Sequence, residues 1–217
     1  MAIEFFREYG ELGYLANYSE YGFYKNGIYY KTVEHYYQSE KYEDELVRKK
    51  IIEAPNAREA ALIGRDRNNK RKDNFKDIKL DVMLEGVLEK FRQNKDILVK
   101  LIETRELEII EKTEDEYFWG VGRDNSGQNE FGKILMKART ILKKEIIDRI
   151  INSSDEVYIL GHNHPDCDSI FSSLILKNIL TSLGVNAHFC ILDTNYELAL
   201  CDEKIITDYL PEQPEII

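Results

Sequence analysis

The hydrophobic and polar positions of residues 1–143 alternate between short aromatic segments and helical patterns. Residues 3–30 are rich in Tyr, Phe and Gly, which predicts short strands and turns, with a hairpin turn at Lys25-Asn26-Gly27. Thr32 is a good N-cap, and the residues after it predict a helix from Val33 to about Lys50. Further helices are predicted at 55–64, 77–91, 95–103 and 130–151, and a strand at 107–111.

The last third of the chain has a different pattern. Two apolar stretches, 156–160 and 187–192, flank a helical pattern at 168–183. A strand–helix–strand order of this kind is typical of parallel α/β structure. The loop at the carboxyl end of the first strand, where such sheets commonly carry their sites, is rich in polar residues.

Charge divides the chain at a similar place. The 217 residues have a formal net charge of −10, which argues against a general grip on nucleic acid. Residues 144–217 contain 4 Lys/Arg and 13 Asp/Glu, whereas residues 1–143 contain 26 and 27. A shift of this size predicts a boundary near residue 143 and therefore two domains, 1–143 and 144–217.

Composition narrows the class of protein. Hydrophobic residues make up 43% of the chain, which is enough to bury a core. No apolar run approaches the ~20 residues that span a bilayer, and the N-terminus lacks the pattern of a signal peptide, so we expect no membrane partner. Cys167, Cys190 and Cys201 have no CxxC spacing, which argues against a disulfide scaffold or zinc finger and indicates the cytoplasm. The oligomeric state stays open.

A first group of candidate residues is Glu34, Gln38 and Lys41. On a helix their spacing places all three on one face. Spacing alone favours an exposed, salt-bridged face, because charged residues usually meet solvent. The neighbouring aromatic residues, among them Tyr36 and Tyr37, favour instead a cleft for a planar ligand.

A second group lies between residues 115 and 132. Trp119, the only tryptophan, precedes four glycines and two asparagines, and a predicted helix follows. Glycines let a backbone approach a ligand closely, and a helix N-terminus attracts an anion. The spacing is not GxGxxG, so it does not indicate a Rossmann fold. The alternative is an ordinary glycine-rich turn with its tryptophan in the core.

In these segments residues 3–142 resemble the NADAR family. The matching pieces are LANY at 15–18, TVEHYYQSEK at 32–41, KF at 90–91, Asp115, WGVG at 119–122 and NEFGKILMKAR at 129–139. The resemblance implies a compact, mostly helical α+β fold and an N-glycosidase that needs no cofactor. It further implies a substrate with a ribose C1–N bond to guanine or a guanine-derived pyrimidine, such as an early riboflavin-pathway intermediate or ADP-ribosylated guanine.

Cleavage of a C1–N bond builds positive charge on the sugar, so a nearby carboxylate is required, and Glu34 is our candidate. A lysine desolvated among aromatic rings can act as a nucleophile, and the resemblance implies that Lys41 forms a Schiff base with C1. The remaining expected substrate-binding residues are Asn17, Gln38, Trp119, Gly122, Asn129 and Gly132, with the two glycines allowing the backbone shape.

Two features leave alternatives open. The basic stretch Arg65, Arg67, Lys70, Arg71 and Lys72 is compatible with a phosphate site or with a solvated basic face. The first domain is also compatible with a non-catalytic module that binds ADP-ribose or a nucleotide, although the presence of both Glu34 and Lys41 argues against it.

A third group is His162, Asp166 and Asp168, in the loop between a predicted strand and helix. Imidazole and carboxylate ligands suit Mn²⁺ or Mg²⁺. The loop resembles motif I of the DHH phosphoesterases, particularly family II inorganic pyrophosphatases, and implies a Mn-dependent phosphohydrolase if such a domain were complete. The family's later Asp-His-His motif does not occur before Ile217. We therefore expect a partial α/β domain that binds one ion weakly or none.

Overall fold

The computed structural model describes residues 2–152, 156–160 and 166–190. It is a mixed α/β structure in which about half of the described residues are helical. Contacts between Cα atoms divide the chain into two compact units, Met1–Lys143 and Lys144–Ile217. This division falls where the charge balance of the sequence changes. We call them unit 1 and unit 2.

Unit 1 contains short strands, six helices that begin within it and one turn of 3₁₀ helix. In chain order these are β1 (Ala2–Phe5), the 3₁₀ turn (Gly13–Leu15), β2 (Phe23–Lys25), β3 (Ile28–Tyr30), α1 (Val33–Ser39), α2 (Glu45–Ile52), α3 (Ala57–Arg65), α4 (Phe75–Gln93), α5 (Lys95–Glu103), β4 (Glu108–Glu111) and α6 (Glu130–Asn152). The predicted hairpin, the predicted strand at 107–111 and the predicted helices from residue 55 onward are confirmed, with small shifts at their ends.

The prediction of one helix from Val33 to about Lys50 is wrong. Thr32 caps α1 as expected, its side chain accepting a hydrogen bond from the His35 backbone N–H, but α1 ends at Ser39. A new helix starts because the Asp44 carboxylate accepts hydrogen bonds from two backbone N–H groups of α2. Lys41 therefore lies in the connection between α1 and α2, where its carbonyl accepts a hydrogen bond from the backbone N–H of Lys72, 2.8 Å away.

The strands form two separate pairs in unit 1. β2 and β3 pair antiparallel around Asn26 and Gly27, which both have positive φ, as a type I′ hairpin turn requires. β1 and β4 pair parallel, with Ile3 opposite Ile109 and Phe5 opposite Glu111. This second pair brings the end of β4 beside the N-terminal strand.

Helix α1 lies at the centre of unit 1. Every residue of α1 is buried, and the helix contacts α2, α3 and α4. The main hydrophobic core includes Val33 and Tyr36 of α1, Phe91 of α4 and Leu135 of α6. Because every residue of α1 is buried, its polar residues can meet a ligand only where the packing leaves a cavity.

Unit 2 contains a strand–helix–strand element, as predicted. Its elements are β5 (Val157–Leu160), α7 (Cys167–Ser182) and β6 (Ala187–Cys190). β5 and β6 pair parallel, and α7 packs on them through a small cluster that includes Leu180 and Val185. In the part of the chain that is described, no helix is long and apolar enough to cross a membrane.

Candidate functional site

A cavity of about 770 Å³ opens on α1 in unit 1. Glu34, Gln38 and Lys41 all line it, together with Asn17 and Trp119. The interpretation of this group as an exposed, salt-bridged face is wrong, since all of α1 is buried. The aromatic-lined cleft is the arrangement that the structure contains.

Glu34 is the most enclosed acidic group of the cavity, with 3% of its surface exposed. Asn17 Nδ2 donates to Glu34 Oε2 at 2.6 Å, and Gln38 Nε2 donates to Glu34 Oε1 at 2.6 Å. The Tyr18 hydroxyl is 3.5 Å from Oε1. Burial raises the pKa of Glu34, while the Gln38 donor and the charge of Lys41 oppose that shift. These donors favour the carboxylate form at a buried position.

Lys41 is buried among aromatic rings. Its Nζ lies 5.0 Å from the ring centre of Tyr37 and 5.9 Å from that of Phe75. Burial lowers the pKa of Lys41 to about 8; the charge of Glu34 opposes this shift, and Arg71 and Arg65 add to it. A substantial fraction of the amine is therefore neutral near physiological pH, the form in which nitrogen is a nucleophile.

Trp119 forms another part of the aromatic lining. Its ring packs edge-on against Tyr37, with ring centres 5.6 Å apart, and against Phe118 at 5.0 Å. Glu116 Oε1 accepts hydrogen bonds from the backbone N–H groups of Phe118 and Trp119. The tryptophan is thus held at the cavity wall and is not part of an enclosed core.

Asn129, Gly122 and Gly132 support the site without lining it. Asn129 Nδ2 donates to the carbonyl of Ile109 and its Oδ1 accepts from the backbone N–H of Glu111. Both polar atoms thus bind β4, and the expectation that Asn129 contacts substrate stays a prediction. Gly122 has φ +69°, and a Cβ on Gly132 would overlap the Ile109 carbonyl at 2.2 Å. The two glycines are required by the backbone, as expected, and are absent from the described cavity wall.

The cavity is also lined by residues that the sequence motifs do not indicate, among them Tyr18, Arg58 and Glu111. Glu111 is the most unusual, because it lies two residues after the buried Ile109 and therefore on the same side of β4. The signal in the sequence for Glu111 is a charged residue at the next core-facing position of the predicted strand. Burial raises the pKa of Glu111 to about 8, and the charges of Glu116 and Glu34 add to the shift.

The basic residues at and after the end of α3 have different surroundings. Arg65 lines the cavity, and Lys72 Nζ pairs with Glu40 at 3.3 Å. Arg67, Lys70 and Arg71 are exposed. Arg65 and Arg58 are thus the cationic side chains of this region that can reach an anionic part of a ligand.

Lys90 of α4 fixes the segment that carries Asn17. With 1% of its surface exposed, it donates to the carbonyls of Tyr14 and Ala16 at 2.5 and 2.9 Å and to Ser19 Oγ at 2.7 Å. Asn17 lies between these acceptors in the chain. Lys90 therefore acts on the position of Glu34 through Asn17.

The expected metal-binding loop of unit 2 is only partly within the described residues. His162 lies outside them. Asp166 caps α7, its Oδ1 accepting from the backbone N–H of Ser169 at 2.8 Å, and Asp168 is exposed in the first helical turn. Among residues 2–152, 156–160 and 166–190, no group of three His, Cys, Asp or Glu side chains is placed to bind a metal ion.

Unit 1 is similar in sequence to a known family and to known proteins. Residues 4–143 match the family described as NADAR domain. The N-glycosidase YbiA of Escherichia coli is 31% identical over 143 residues, which cover 66% of this chain and 89% of that protein. An N-glycosidase of Nostoc punctiforme is 33% identical over 142 residues, covering 64% and 91%.

Two further similarities concern a longer protein and a solved structure. A riboflavin biosynthesis protein of Vibrio vulnificus is 34% identical over 132 residues, but the match covers 61% of this chain and only 36% of that protein. The NMR structure of E. coli YbiA superposes with a TM-score of 0.65 at 30% identity, covering 68% of this chain and 88% of that one.

Proposed function

The chain belongs to the NADAR family, and from this premise we propose that it is an N-glycosidase that hydrolyses the bond between ribose C1 and a base nitrogen. The observation that carries the proposal is the meeting of a buried carboxylate, Glu34, and a buried amine, Lys41, in one aromatic-lined cavity. The names of the E. coli and N. punctiforme relatives, both N-glycosidases, support the same reaction class.

Lys41 is the proposed nucleophile. Its neutral amine attacks C1, and the electron pair of the C1–N bond leaves with the base nitrogen, which requires a proton. Glu34 then accepts a proton from the new C1–N linkage to Lys41 and passes it to the ring oxygen, which opens the sugar to a Schiff base. Water adds to C1, and cleavage of the linkage restores Lys41. The negative charge of Glu34 also stabilises positive charge on the sugar during the first step.

The expected substrate is a nucleotide-like molecule whose base derives from guanine. Trp119 and Tyr37 provide ring surfaces for a planar base, and Gln38 and Asn17 hold the carboxylate that faces the ribose. Arg58 and Arg65 at the cavity are suited to phosphate oxygens. Early riboflavin-pathway intermediates and ADP-ribosylated guanine both have this chemistry, and the former agree with the name of the V. vulnificus relative.

Base release followed by mass spectrometry tests the proposal. The protein is incubated with each candidate substrate, beside Glu34→Gln and Lys41→Ala. Each variant should lower turnover by roughly 100-fold or more, whereas Lys76→Ala, on the exposed side of α4, should not. Borohydride reduction during turnover should attach the sugar to Lys41. Near-full activity of folded Lys41→Ala would refute the Schiff base.

The alternative is a non-catalytic module that binds ADP-ribose or a nucleotide. The same samples separate the two functions, since a binding module would show a measurable Kd for ADP-ribose and no base release from any candidate. The buried Glu34 and Lys41 favour the enzyme, because burying two ionisable groups without using their chemistry costs stability.

For unit 2 we propose the start of a DHH phosphoesterase-like domain, with His162, Asp166 and Asp168 as ligands for Mn²⁺ or Mg²⁺. The parallel β5–α7–β6 element and the position of Asp166 and Asp168 after β5 support it. Calorimetric titration with MnCl₂ tests it. Saturable heat that is lost in Asp168→Asn supports the ion site, and equal heats from both proteins contradict it.

A further inference from the structure

Glu111 is an acidic residue on the core-facing side of a strand. It is the last residue of β4, and in the parallel pairing with β1 it lies opposite Phe5, which is buried in the main core. Ile109, two residues earlier, is fully buried. Successive side chains of a strand alternate between its faces, so Glu111 continues the buried side of β4 at the point where the cavity begins.

The backbone of Glu111 is held on both sides. Its N–H donates to Asn129 Oδ1 at 3.0 Å, and its carbonyl accepts from the N–H of Val121 at 3.0 Å. The residue is therefore fixed between the segment that carries Trp119 and the start of α6. Asn129 thus holds β4 in place with both polar atoms of its side chain.

Glu111 and Glu34 line the same cavity but have opposite surroundings. Glu34 receives hydrogen bonds from Asn17, Gln38 and Tyr18. No side chain of the described part of the chain donates a hydrogen bond to the Glu111 carboxyl, and the two charges that shift its pKa, those of Glu116 and Glu34, are both negative. Burial together with these charges raises the pKa of Glu111 to about 8. Of the two acids, Glu34 is surrounded by groups that favour the anion, and Glu111 by groups that favour the neutral acid.

The proposed reaction needs a proton that Glu34 does not supply. When Lys41 attacks C1, the departing base nitrogen must be protonated, or it leaves as a poor, negatively charged group. An acid that remains protonated at neutral pH, in the same cavity, meets this need.

We propose that Glu111 is the general acid that protonates the departing base, while Glu34 remains the carboxylate that faces the sugar. This inference rests on the proposed glycosidase function. As Lys41 Nζ bonds to C1, the C1–N electron pair moves onto the base nitrogen, which takes the carboxylic proton of Glu111. When water later releases the sugar, Lys41 is left as an ammonium group. This group transfers one proton to the Glu111 carboxylate, which restores both side chains. Overall, one water is consumed and one sugar and one protonated base are formed.

The test compares Glu111→Gln with Glu108→Gln. The control residue is an exposed glutamate of the same strand, three positions away and therefore on its other side. The amide of Glu111→Gln keeps the size of the side chain, so the fold is expected to persist. Base release is measured between pH 5.5 and 10 on whichever candidate substrate the unchanged protein cleaves, and kcat and KM are obtained at each pH.

The unchanged protein should show a bell-shaped profile, rising as Lys41 loses its proton and falling as Glu111 loses its own. Glu111→Gln should lower kcat by roughly 100- to 10,000-fold, leave KM within about threefold and abolish the falling alkaline limb. Glu108→Gln should retain both the rate and the limb.

Two results would overturn the assignment: a kcat for Glu111→Gln within about threefold of Glu108→Gln, or a reduced kcat with the alkaline limb preserved, which is the behaviour of a merely structural residue. If the unchanged protein releases no base from any candidate, the glycosidase proposal itself fails and this assignment fails with it. The two failures are thus distinguishable.

Discussion

Replacing Lys90 by Met tests how unit 1 positions Glu34, the carboxylate of the proposed reaction. Methionine has nearly the length of lysine and fills an apolar space well, so the substitution removes hydrogen bonds with little change in volume. Lys90 Nζ donates to the carbonyls of Tyr14 and Ala16 and to Ser19 Oγ. The hydroxyl of Ser19 also donates to the carbonyl of Ala16 at 2.7 Å, so that carbonyl keeps a partner in the variant.

The cost of Lys90→Met follows from what remains unpaired. The carbonyl of Tyr14 keeps only the 3.4 Å contact with Ser19 Oγ, and an unsatisfied buried acceptor costs about 1–3 kcal/mol. The loss of the other two hydrogen bonds costs about 1 kcal/mol each. We expect a decrease of ~3–5 kcal/mol in the free energy of unfolding. Because the segment that carries Asn17 is then less fixed, the rate of base release should also fall.

Urea unfolding at pH 7 measures this decrease, with Lys76→Met, an exposed position of the same helix, as the matched control. The pH dependence gives a second measurement. Burial lowers the pKa of Lys90 to about 7, below the 10.5 of an unperturbed lysine. Between these values the unfolded chain binds more protons than the folded one, so this group makes stability rise with pH. Lys90→Met should remove that contribution. A Lys90→Met protein as stable as Lys76→Met would refute the reasoning.

Three further predictions concern the cavity. Gly64→Ala should lower kcat, since its Cβ would come within 2.1 Å of Gln38 Oε1 and displace the donor to Glu34; unchanged kcat would show that Gln38 moves aside freely. Asn17→Ala removes the 2.6 Å donor to Glu34, so a larger fraction of Glu34 is protonated at low pH and kcat/KM at pH 6 should fall about tenfold; an unchanged kcat/KM at pH 6 would contradict the role of this donor. For the unchanged protein, the rising limb of the kcat/KM profile should lie near pH 8, where Lys41 becomes neutral; a rising limb centred above pH 10 would show a solvated lysine.

Local signals in the sequence predicted most helices. Asn56 caps α3 through its side chain, and apolar periodicity located α4 and α5. The break between α1 and α2 was missed because the residues on both sides of it are compatible with helix. Asp44 is an N-cap by residue type, but only the bonds to α2 show that it starts a new helix. Local propensity does not decide between a continued helix and two short ones.

The sequence indicates the site residues that lie close together in the chain. It indicates less well the residues whose position depends on pairing between distant strands. Glu34, Gln38 and Lys41 are close in sequence, and all three line the cavity. Glu111 was overlooked because its position depends on the pairing of β4 with β1, a contact between residues about 100 positions apart. The contacts of Asn129 with β4 were not predictable, because a polar side chain beside glycines can serve either a ligand or the backbone and the sequence does not distinguish these uses.

The position of Lys41, the proposed nucleophile, depends on a backbone contact outside α1. The Lys41 carbonyl is bound by the amide of Lys72, which belongs to a largely exposed segment. Local opening of that segment would release the lysine without unfolding the core. Hydrogen–deuterium exchange at the Lys72 amide therefore reports how often the contact that holds the proposed nucleophile is open. Under the proposed function, a ligand that slows this exchange stabilises the arrangement in which Lys41 can react, and this effect is measurable before any product forms.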